Sequence, residues 1–367
     1  MPPEVLEDRA RAGDVGAQVR LAARLDDQGL HQDAISWLSR AAQSGDAGAL
    51  TVLGMRLLVG DHAPFLPKQG AGLLSDAAAR GGADAAGMVA VLAGGGFHGP
   101  QSWTVALDYL WLSAELGGVA ARDQLVLLAD DPELTALAAS PLPPPDIWRR
   151  LHQGVDVASW TVAPRPGALC ASPRILAVQG LVPPAACDWV IEQSRPRLQR
   201  ALVQDPETGH TVMGQTRTNH VANFELTSTN LLNLFVQARI AAAAGVAPRM
   251  MEAFAVLHYA VGEEASEHYD FLDPDLAGYG AVIERHGQRV ATCLLYLNDG
   301  YDGGETAFPE LGISHRGAKG DALIFFSVDE ASGAPDRRTL HAGRPPAAGE
   351  KWVLSQFIRD RATISEG

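Results

Sequence analysis

Basic residues, cysteines and long apolar segments are scarce in this sequence, and each shortage excludes a class of protein. The 367-residue chain has 29 Lys and Arg against 43 Asp and Glu, a net charge of −14. Nucleic-acid binding and docking on anionic membranes both rely on basic side chains, so we predict neither partner. No apolar run approaches the roughly 20 residues that span a bilayer. The N-terminus lacks the pattern of a signal peptide, and we expect a cytoplasmic protein.

The three cysteines are Cys170, Cys187 and Cys293, an odd number spread widely along the chain. This spacing excludes a disulfide framework and a zinc knuckle, and it favours reduced, buried thiols. A hydrophobic content of 47% in a chain of this length suits two globular domains.

The first third of the chain contains a repeat. The pattern A-x-x-G-x-x-x-A occurs four times in register, with its glycines 32, 36 and 36 residues apart, at Gly13, Gly45, Gly81 and Gly117. A period in the mid-thirties is typical of a helix–turn–helix solenoid. Each glycine can end a helix in the left-handed conformation, and the alanines allow close helix packing. We therefore predict a solenoid.

In period and in its Ala/Gly pattern, this block, about 5–130, resembles the Sel1-like branch of tetratricopeptide-type repeats. The resemblance implies a scaffold that binds other proteins. The alternative is a helical domain that only packs against its neighbour and stabilises it.

A Pro-rich linker separates this block from the rest of the chain. Residues 140–146 (SPLPPPD) predict an extended segment, 147–155 a short helix, and 162–173 a loop. We place a helical repeat domain at 1–135, a linker at 136–172 and a second domain at 173–367.

The second domain combines two predicted helices with many short strands. Helices are expected after Pro183 and at 229–243; strands are expected at 175–182, 254–260, 289–298, 321–327 and 351–359. Short strands between Gly-rich turns predict a double-stranded β-helix (jelly roll) with flanking helices, so the whole chain is a two-domain α + β protein. The segment 273–289 reads as a mobile loop, which we hypothesise closes over a peptide substrate.

The segment EHYDFLDP (267–274) contains a candidate metal site. In a strand, His268 and Asp270 would share one face. Two histidines and one carboxylate form the facial triad of non-haem iron(II) oxygenases, which leaves coordination positions open. An H-x-D motif alone is weak evidence, so a third ligand is needed.

The C-terminal segment 338–359 supplies a candidate third ligand. A hairpin would bring His341 to the metal and point Lys351 into the same cavity. A buried cation needs an anionic partner. A dicarboxylate that chelates iron at one end and pairs with Lys351 at the other would provide one.

The order of the motifs in this half of the chain resembles that of the prolyl 4-hydroxylase family of 2-oxoglutarate dioxygenases, over about 173–360. After Tyr259 and the H-x-D motif, the matching segments are Thr292, Tyr296-Leu-Asn298, GGETAFP (303–309), KGDALIF (319–325), HAGRP (341–345) and GEKW (349–352). The resemblance implies that His268, Asp270 and His341 bind Fe(II). It also implies 2-oxoglutarate and O2 as cosubstrates, with ascorbate as a candidate further cofactor.

The same resemblance assigns roles to five more residues. Lys351 would pair with the distal carboxylate of 2-oxoglutarate, and Tyr259 and Thr292 would hydrogen-bond this cosubstrate. Arg217 and Trp352 are candidates for substrate binding, with a structural ion pair and a core position as the alternatives. Tyr and Thr are also common strand residues without any such role.

His258, His286 and His315 lack the spacing of metal ligands, and we predict solvated or packing roles for them. Asn219 and Arg344 depart from the residues that the family often has, Ser and Cys. These departures leave the predicted iron and cosubstrate ligands intact. They weaken the inference that this protein shares the family's prolyl substrate.

Three functions stay open at this point. The first is hydroxylation of a prolyl residue in a protein or peptide recruited by the repeats. The second is hydroxylation of a free amino acid or another small molecule. The third is a non-catalytic scaffold or sensor, against which the complete triad and Lys351 argue.

Overall fold

A computed structural model describes residues 3–204, 211–212, 217–329 and 332–362. The chain divides into two compact units. Of the described residues, unit 1 contains those within 3–157 and 226–234, and unit 2 contains those within 158–225 and 235–362.

Unit 1 is built from helices. They are α1 (Pro3–Arg11), α2 (Val15–Asp27), α3 (His31–Gln43), α4 (Ala47–Val59), α5 (Pro67–Ala79), α6 (Ala83–Gly95), α7 (Trp103–Glu115), α8 (Val119–Ala129), α9 (Pro132–Ala138) and α10 (Ile147–Gly154). Consecutive helices pack against one another, and this confirms the predicted helical repeat.

The four repeat glycines make the predicted turns. Gly13, Gly45, Gly81 and Gly117 have φ values of +90°, +81°, +92° and +97°, in the left-handed region that glycine adopts without steric cost. In the first two copies the next residue is an aspartate that caps the following helix: a carboxylate oxygen of Asp14 accepts a 2.8 Å hydrogen bond from the amide of Ala17. The motif therefore encodes both the end of one helix and the start of the next.

The repeat alanines lie where the helices meet. Ala10 and Ala17 are fully buried in one cluster with Leu6 and Leu21, and Ala49 and its counterparts in the later copies are also buried. Small side chains at these positions let helix axes approach closely, so the period of the sequence becomes the period of the packing.

Unit 2 contains an antiparallel sheet domain. Its helices are α12 (Pro184–Ser194) and α14 (Ala277–His286), and the sequence also forms α11 (Val157–Thr161) and α13 (Leu231–Ala244), which each straddle a unit boundary. The strands are β1 (Gly167–Cys170), β2 (Ile175–Val178), β3 (Gln199–Arg200), β4 (Val203–Gln204), β5 (Thr211–Val212), β6 (His220–Asn223), β7 (Ala255–Tyr259), β8 (Ala265–His268), β9 (Arg289–Tyr296), β10 (Asp302–Gly303), β11 (Thr306–Phe308), β12 (Ile313–His315), β13 (Ala322–Phe326), β14 (His341–Gly343), β15 (Pro346–Ala348) and β16 (Lys351–Arg359).

The described strands form a large sheet, a smaller four-stranded sheet and two separate strand pairs, β10-β15 and β4-β5. The large sheet has the order β1-β2-β13-β9-β16-β7-β6-β3, and the smaller one has β12-β11-β14-β8. Phe308 of the small sheet packs in one core cluster with Ile175, Tyr296, Phe325 and Val353 of the large sheet. The two sheets thus share a core, as predicted for a jelly roll.

Two predicted loops contain regular structure. The segment 273–289 forms helix α14 over Ala277–His286, and the side chain of Gln288 fastens the chain by hydrogen bonds to the amide and carbonyl of Leu272. The segment 162–173 contains β1, which pairs with β2. Helix α14 was not predicted because its glycines and charged residues resemble those of a loop. Strand β1 was not predicted because it has only four residues. None of the described helices is long and apolar enough to cross a lipid bilayer.

Candidate active site

Three metal-binding side chains converge on one cavity of unit 2. Nε2 of His268 lies 3.5 Å from Oδ1 of Asp270, and Nε2 of His341 lies 3.5 Å from Oδ2 of the same carboxylate. The two imidazole rings have centroids 4.3 Å apart. One ligand atom from each residue falls within 4.8 Å of the others, so one ion can contact all three.

The small sheet brings two of these residues together. Strands β8 and β14 pair with His268 directly opposite His341. Asp270 lies beyond the end of β8, so the prediction that one strand carries both His268 and Asp270 on one face is wrong. The chain turns after His268 and directs the carboxylate to the same point.

Each histidine is oriented by a backbone carbonyl two residues earlier. Nδ1 of His268 is 2.8 Å from the oxygen of Ser266, and Nδ1 of His341 is 3.0 Å from the oxygen of Thr339. A carbonyl oxygen only accepts, so each Nδ1 donates a proton and each Nε2 presents its lone pair. Such bonds fix the tautomer and ring orientation of histidine ligands. Sequence reasoning missed these two oxygens because the partners are backbone atoms.

The electrostatics keep His268 and Asp270 in the state that binds a cation. Burial, together with His341 and Arg217, lowers the pKa of His268 to about 3, so its imidazole is neutral at neutral pH. Burial alone would raise the pKa of Asp270, but the two imidazoles and the hydroxyl of Thr292 outweigh burial and hold it below its usual range. The carboxylate is therefore ionised.

Thr292 contacts the carboxylate ligand. Its Oγ1 donates a 2.7 Å hydrogen bond to Oδ2 of Asp270, and its side chain is fully buried on β9. Among the described residues, Thr292 does not line the cavity that holds the triad. The structure thus places it behind a metal ligand, and its predicted contact with the cosubstrate stays a prediction.

Lys351 is a buried cation at the wall of the same cavity. Its side chain is 2% exposed, and Nζ donates a 2.7 Å hydrogen bond to the backbone oxygen of Gly304. Burial lowers the pKa of Lys351 to about 8, and Glu305 offsets that effect only in part. Among the described residues, this ammonium has a carbonyl partner and no carboxylate partner. An incoming anion would therefore offset the cost of burying its charge.

Lys351 and His341 do not lie in one hairpin, contrary to prediction. Strand β16, which begins at Lys351, pairs with β7 and β9 of the large sheet, whereas β14 pairs with β8 and β11 of the small one. The two residues line one cavity because the sheets face each other.

Of the two described aromatic residues predicted to contact cosubstrate or substrate, Tyr259 lines the cavity and Trp352 does not. Tyr259 is buried in the cavity wall directly across the strand pair from Lys351, with Nζ 5.2 Å from its ring centroid. Burial raises its pKa to about 12, so the phenol keeps its proton and can donate. Trp352 is buried but, among the described residues, is not part of the cavity lining; it packs against His258 at 4.4 Å between ring centroids.

Arg217 reaches into the site. It forms an isolated bridge with Ala265, lines the cavity, and places Nη2 3.1 Å from Nε2 of His268. The guanidinium donates to the lone pair that a metal would take. A cation at the triad would repel Arg217 and displace it from this hydrogen bond. Residues 214–216, which precede Arg217 in the family-like segment, lie outside the described residues.

The donor set fits iron(II). Two imidazoles and one carboxylate on one side of an ion form the facial triad of non-haem iron oxygenases, with positions left for a cosubstrate and O2. The cavity has a volume of about 320 Å³ and also contains Arg200, Leu294 and Ser355. This size is within the range of small-molecule sites.

Comparison with known proteins agrees with the geometry. Residues 254–359 match the 2OG-Fe(II) oxygenase superfamily. Prolyl 4-hydroxylase 1 of Arabidopsis thaliana is 33% identical over 215 residues, which cover 54% of this chain and 73% of that protein. The alpha-1 subunit of rat (Rattus norvegicus) prolyl 4-hydroxylase is 33% identical over 192 residues, but only 35% of its length is covered. A Sel1 repeat protein from Oxalobacter formigenes aligns with 33% of this chain and 94% of its own at 27% identity and a TM-score of 0.31.

The fold and the triad are those of an Fe(II)- and 2-oxoglutarate-dependent dioxygenase. With the Arabidopsis relative matched over most of its length, the chain belongs to the prolyl 4-hydroxylase family of these enzymes. The predicted family, the enzyme class and the use of Fe(II), 2-oxoglutarate and O2 are thereby confirmed, whereas ascorbate stays a prediction.

Proposed function

We propose that this enzyme hydroxylates a prolyl residue in a protein or peptide. When iron(II), 2-oxoglutarate and O2 are bound, such a centre couples decarboxylation of 2-oxoglutarate to insertion of oxygen into a C–H bond. The observation that carries the proposal is the combination in one cavity of a complete triad with Lys351, a buried ammonium to which no described residue offers an anionic partner.

Different side chains of this cavity would bind the iron and the cosubstrate. His268, Asp270 and His341 would hold iron, and the carbonyl partners of the two histidines would keep the rings aligned. Lys351 would bind the distal carboxylate of 2-oxoglutarate. Tyr259, which lines the cavity as a protonated phenol, would donate a hydrogen bond to the cosubstrate. The apolar walls would exclude water from the reacting atoms.

Arg217 is the candidate for positioning the substrate. Its guanidinium lies in the cavity next to His268, and a cation at the triad would release it from that imidazole. A guanidinium with free donors is well suited to hold peptide carbonyl groups near the C–H bond that reacts.

The test is a panel of substrates. Purified protein is incubated with iron(II), ascorbate, 2-oxoglutarate and either prolyl peptides or free amino acids. The masses of the products are measured by mass spectrometry. We expect a peptide gain of one oxygen on proline, with one succinate formed for each hydroxyl. Hydroxylation of other residues only, or of free amino acids only, would contradict the prolyl peptide assignment.

A second candidate function is hydroxylation of a free amino acid. It is favoured by the two guanidinium groups in the cavity lining, Arg200 and Arg217, which could bind an α-carboxylate. The same panel separates the candidates: a free amino acid substrate would lose turnover when its carboxylate is amidated, whereas a peptide substrate would not.

We further propose that unit 1 recruits the protein substrate. Phe65 is an aromatic side chain that is 68% exposed, and its neighbour Leu66 is 44% exposed. Exposed apolar groups that adjoin one another often mark interaction surfaces. Phe65→Ser should lower kcat/KM for a long protein substrate and leave that for a short peptide unchanged. Val119→Ser, at a side chain that is 70% exposed, is the matched control; equal losses in both variants would count against recruitment at Phe65.

A further inference from the structure

A second group of metal-binding side chains lies in unit 2, apart from the triad. His220 on β6 and His258 on β7 are direct cross-strand partners, and Glu263 follows β7 in the next turn. One ligand atom from each of these three residues lies within 4.8 Å of the others. We call them the His220 cluster. In the described part of the chain, it and the iron triad are the two sets of three or more side chains with this spacing.

A carboxylate orients His258 in the way that metal-bound histidines are oriented. Nε2 of His258 is 2.9 Å from Oε2 of Glu350. A carboxylate only accepts, so Nε2 carries the proton and, in the neutral ring, Nδ1 presents a lone pair. This Nδ1 is buried, and none of the residues that the structure describes forms a hydrogen bond with it. A buried polar atom without a partner is costly, and a carboxylate–histidine pair is a common support for a bound metal.

Glu263 is fixed in a similar way. Its Oε2 accepts a 2.9 Å hydrogen bond from the amide of Ala260, while Oε1 lies 3.3 Å from Nδ1 of His220. One oxygen thus anchors the side chain and the other faces the histidine. The His220 side chain is 38% exposed, which leaves a route for an ion from solvent.

The His220 cluster does not belong to the active-site cavity. Tyr259 lines that cavity, and side chains alternate along a strand, so His258 projects from the other face of the sheet. There it packs against Trp352, which neighbours Lys351 on β16 and likewise faces away from the cavity. Among the described residues, none of the three cluster members lines the cavity.

We propose that His220, His258 and Glu263 bind a divalent transition metal of the zinc type. Two imidazoles and one carboxylate suit Zn²⁺ and related ions, which take three protein ligands with water in a further position, and they suit Ca²⁺ or Mg²⁺ poorly. The metal joins β6, β7 and the following turn. It thereby braces the strand that carries Tyr259 and the turn in which Glu264 bonds to Thr218, beside Arg217. This site is independent of the proposed function.

The experiment counts metal ions on the full-length chain. Protein is stripped with a chelator, dialysed against equimolar Zn²⁺ and then against metal-free buffer, and its zinc is measured. In the background His268→Ala/His341→Ala, which removes the iron triad, we expect one zinc per chain. Adding His220→Ala should remove that zinc. Adding His286→Ala instead, on the helix α14 outside both clusters, should leave it in place.

Two further measurements keep the result clear if a variant folds poorly. Glu263→Gln keeps the size of the side chain and its amide contact, and it should weaken zinc binding at least tenfold. Co²⁺ added to the triad-free background should give a visible absorption of a nitrogen–oxygen site that is lost with His220→Ala. Absence of zinc from the triad-free background, or zinc retained after His220→Ala, would overturn the proposal. Neither readout depends on hydroxylase activity, so failure here leaves the proposed function unaffected.

Discussion

Thr292 holds the carboxylate ligand of the triad in place: its Oγ1 donates a 2.7 Å hydrogen bond to Oδ2 of Asp270, and both side chains are buried. Because the hydroxyl satisfies one oxygen of Asp270, the carboxylate is pre-oriented before a metal arrives. This relationship makes Thr292 a positioning residue for iron.

Thr292→Val should therefore weaken iron binding. The valine keeps the shape of threonine but removes the donor, and loss of such an outer contact lowers metal affinity by roughly 10–100-fold. Thr292→Ser restores the hydroxyl and should recover most of the affinity. Iron affinity is measured by competition with a chelating dye, with circular dichroism to confirm the fold. Equal iron affinity in the Val variant and the wild type would contradict the role.

Removing the buried ammonium should separate cosubstrate binding from metal binding. Lys351→Met keeps the length of the side chain and loses its charge, so the affinity for 2-oxoglutarate should fall by roughly 10–100-fold, as expected for a charge-assisted hydrogen bond. Iron affinity should not change, since Lys351 is not a ligand. Titration of 2-oxoglutarate into the iron-loaded protein without O2 measures the effect, and an unchanged affinity would refute the assignment of Lys351.

The pH dependence of cosubstrate binding follows from the same residue. Burial lowers the pKa of Lys351 to about 8 in the free protein. The protonated ammonium binds the anion, so affinity for 2-oxoglutarate should be constant below that pH and fall by roughly tenfold per unit above it. Lys351→Arg is the control, because a guanidinium stays charged throughout this range. If the affinity of the wild type for 2-oxoglutarate did not fall at high pH, deprotonation of Lys351 would not control cosubstrate binding.

Turn glycines and helix glycines of unit 1 should respond to alanine with opposite signs. Gly117 has φ +97°, and Gly117→Ala should lower the free energy of unfolding by about 1 kcal/mol because alanine strains the left-handed region. Gly72 lies exposed within α5 with open space around it, and Gly72→Ala should raise stability by roughly 0.5–1 kcal/mol. Urea unfolding followed by circular dichroism compares the two. Destabilisation by both substitutions would show that the left-handed conformation of the repeat glycines does not explain the effect of alanine.

Much of the fold could be predicted because the sequence carries periodic signals. The helix around 229–243 and the strands around 254–260 and 351–359 formed close to their expected bounds, since runs of apolar residues identify them. Helix α14 was missed because its Gly, Tyr and charged residues resemble a loop, and its position is set by tertiary contacts such as that of Gln288 with Leu272.

The site was less completely predictable. Motif order identified His268, Asp270 and His341, but two of the local geometries assumed for them were wrong, because strand ends and sheet membership depend on long-range pairing. His258 was expected to have only a solvated or packing role. Its place opposite His220 arises from the pairing of β6 with β7, which sequence spacing does not reveal.

The most direct test of the central account is the iron dependence of 2-oxoglutarate turnover. Succinate is measured with and without iron(II), in the presence of a substrate from the panel, for the wild type, His268→Ala and His98→Ala. We predict succinate only with iron, at least a hundredfold less for His268→Ala, and wild-type amounts for His98→Ala, since His98 is exposed and is not part of the triad. Iron-independent succinate formation, or unchanged turnover by His268→Ala, would contradict it.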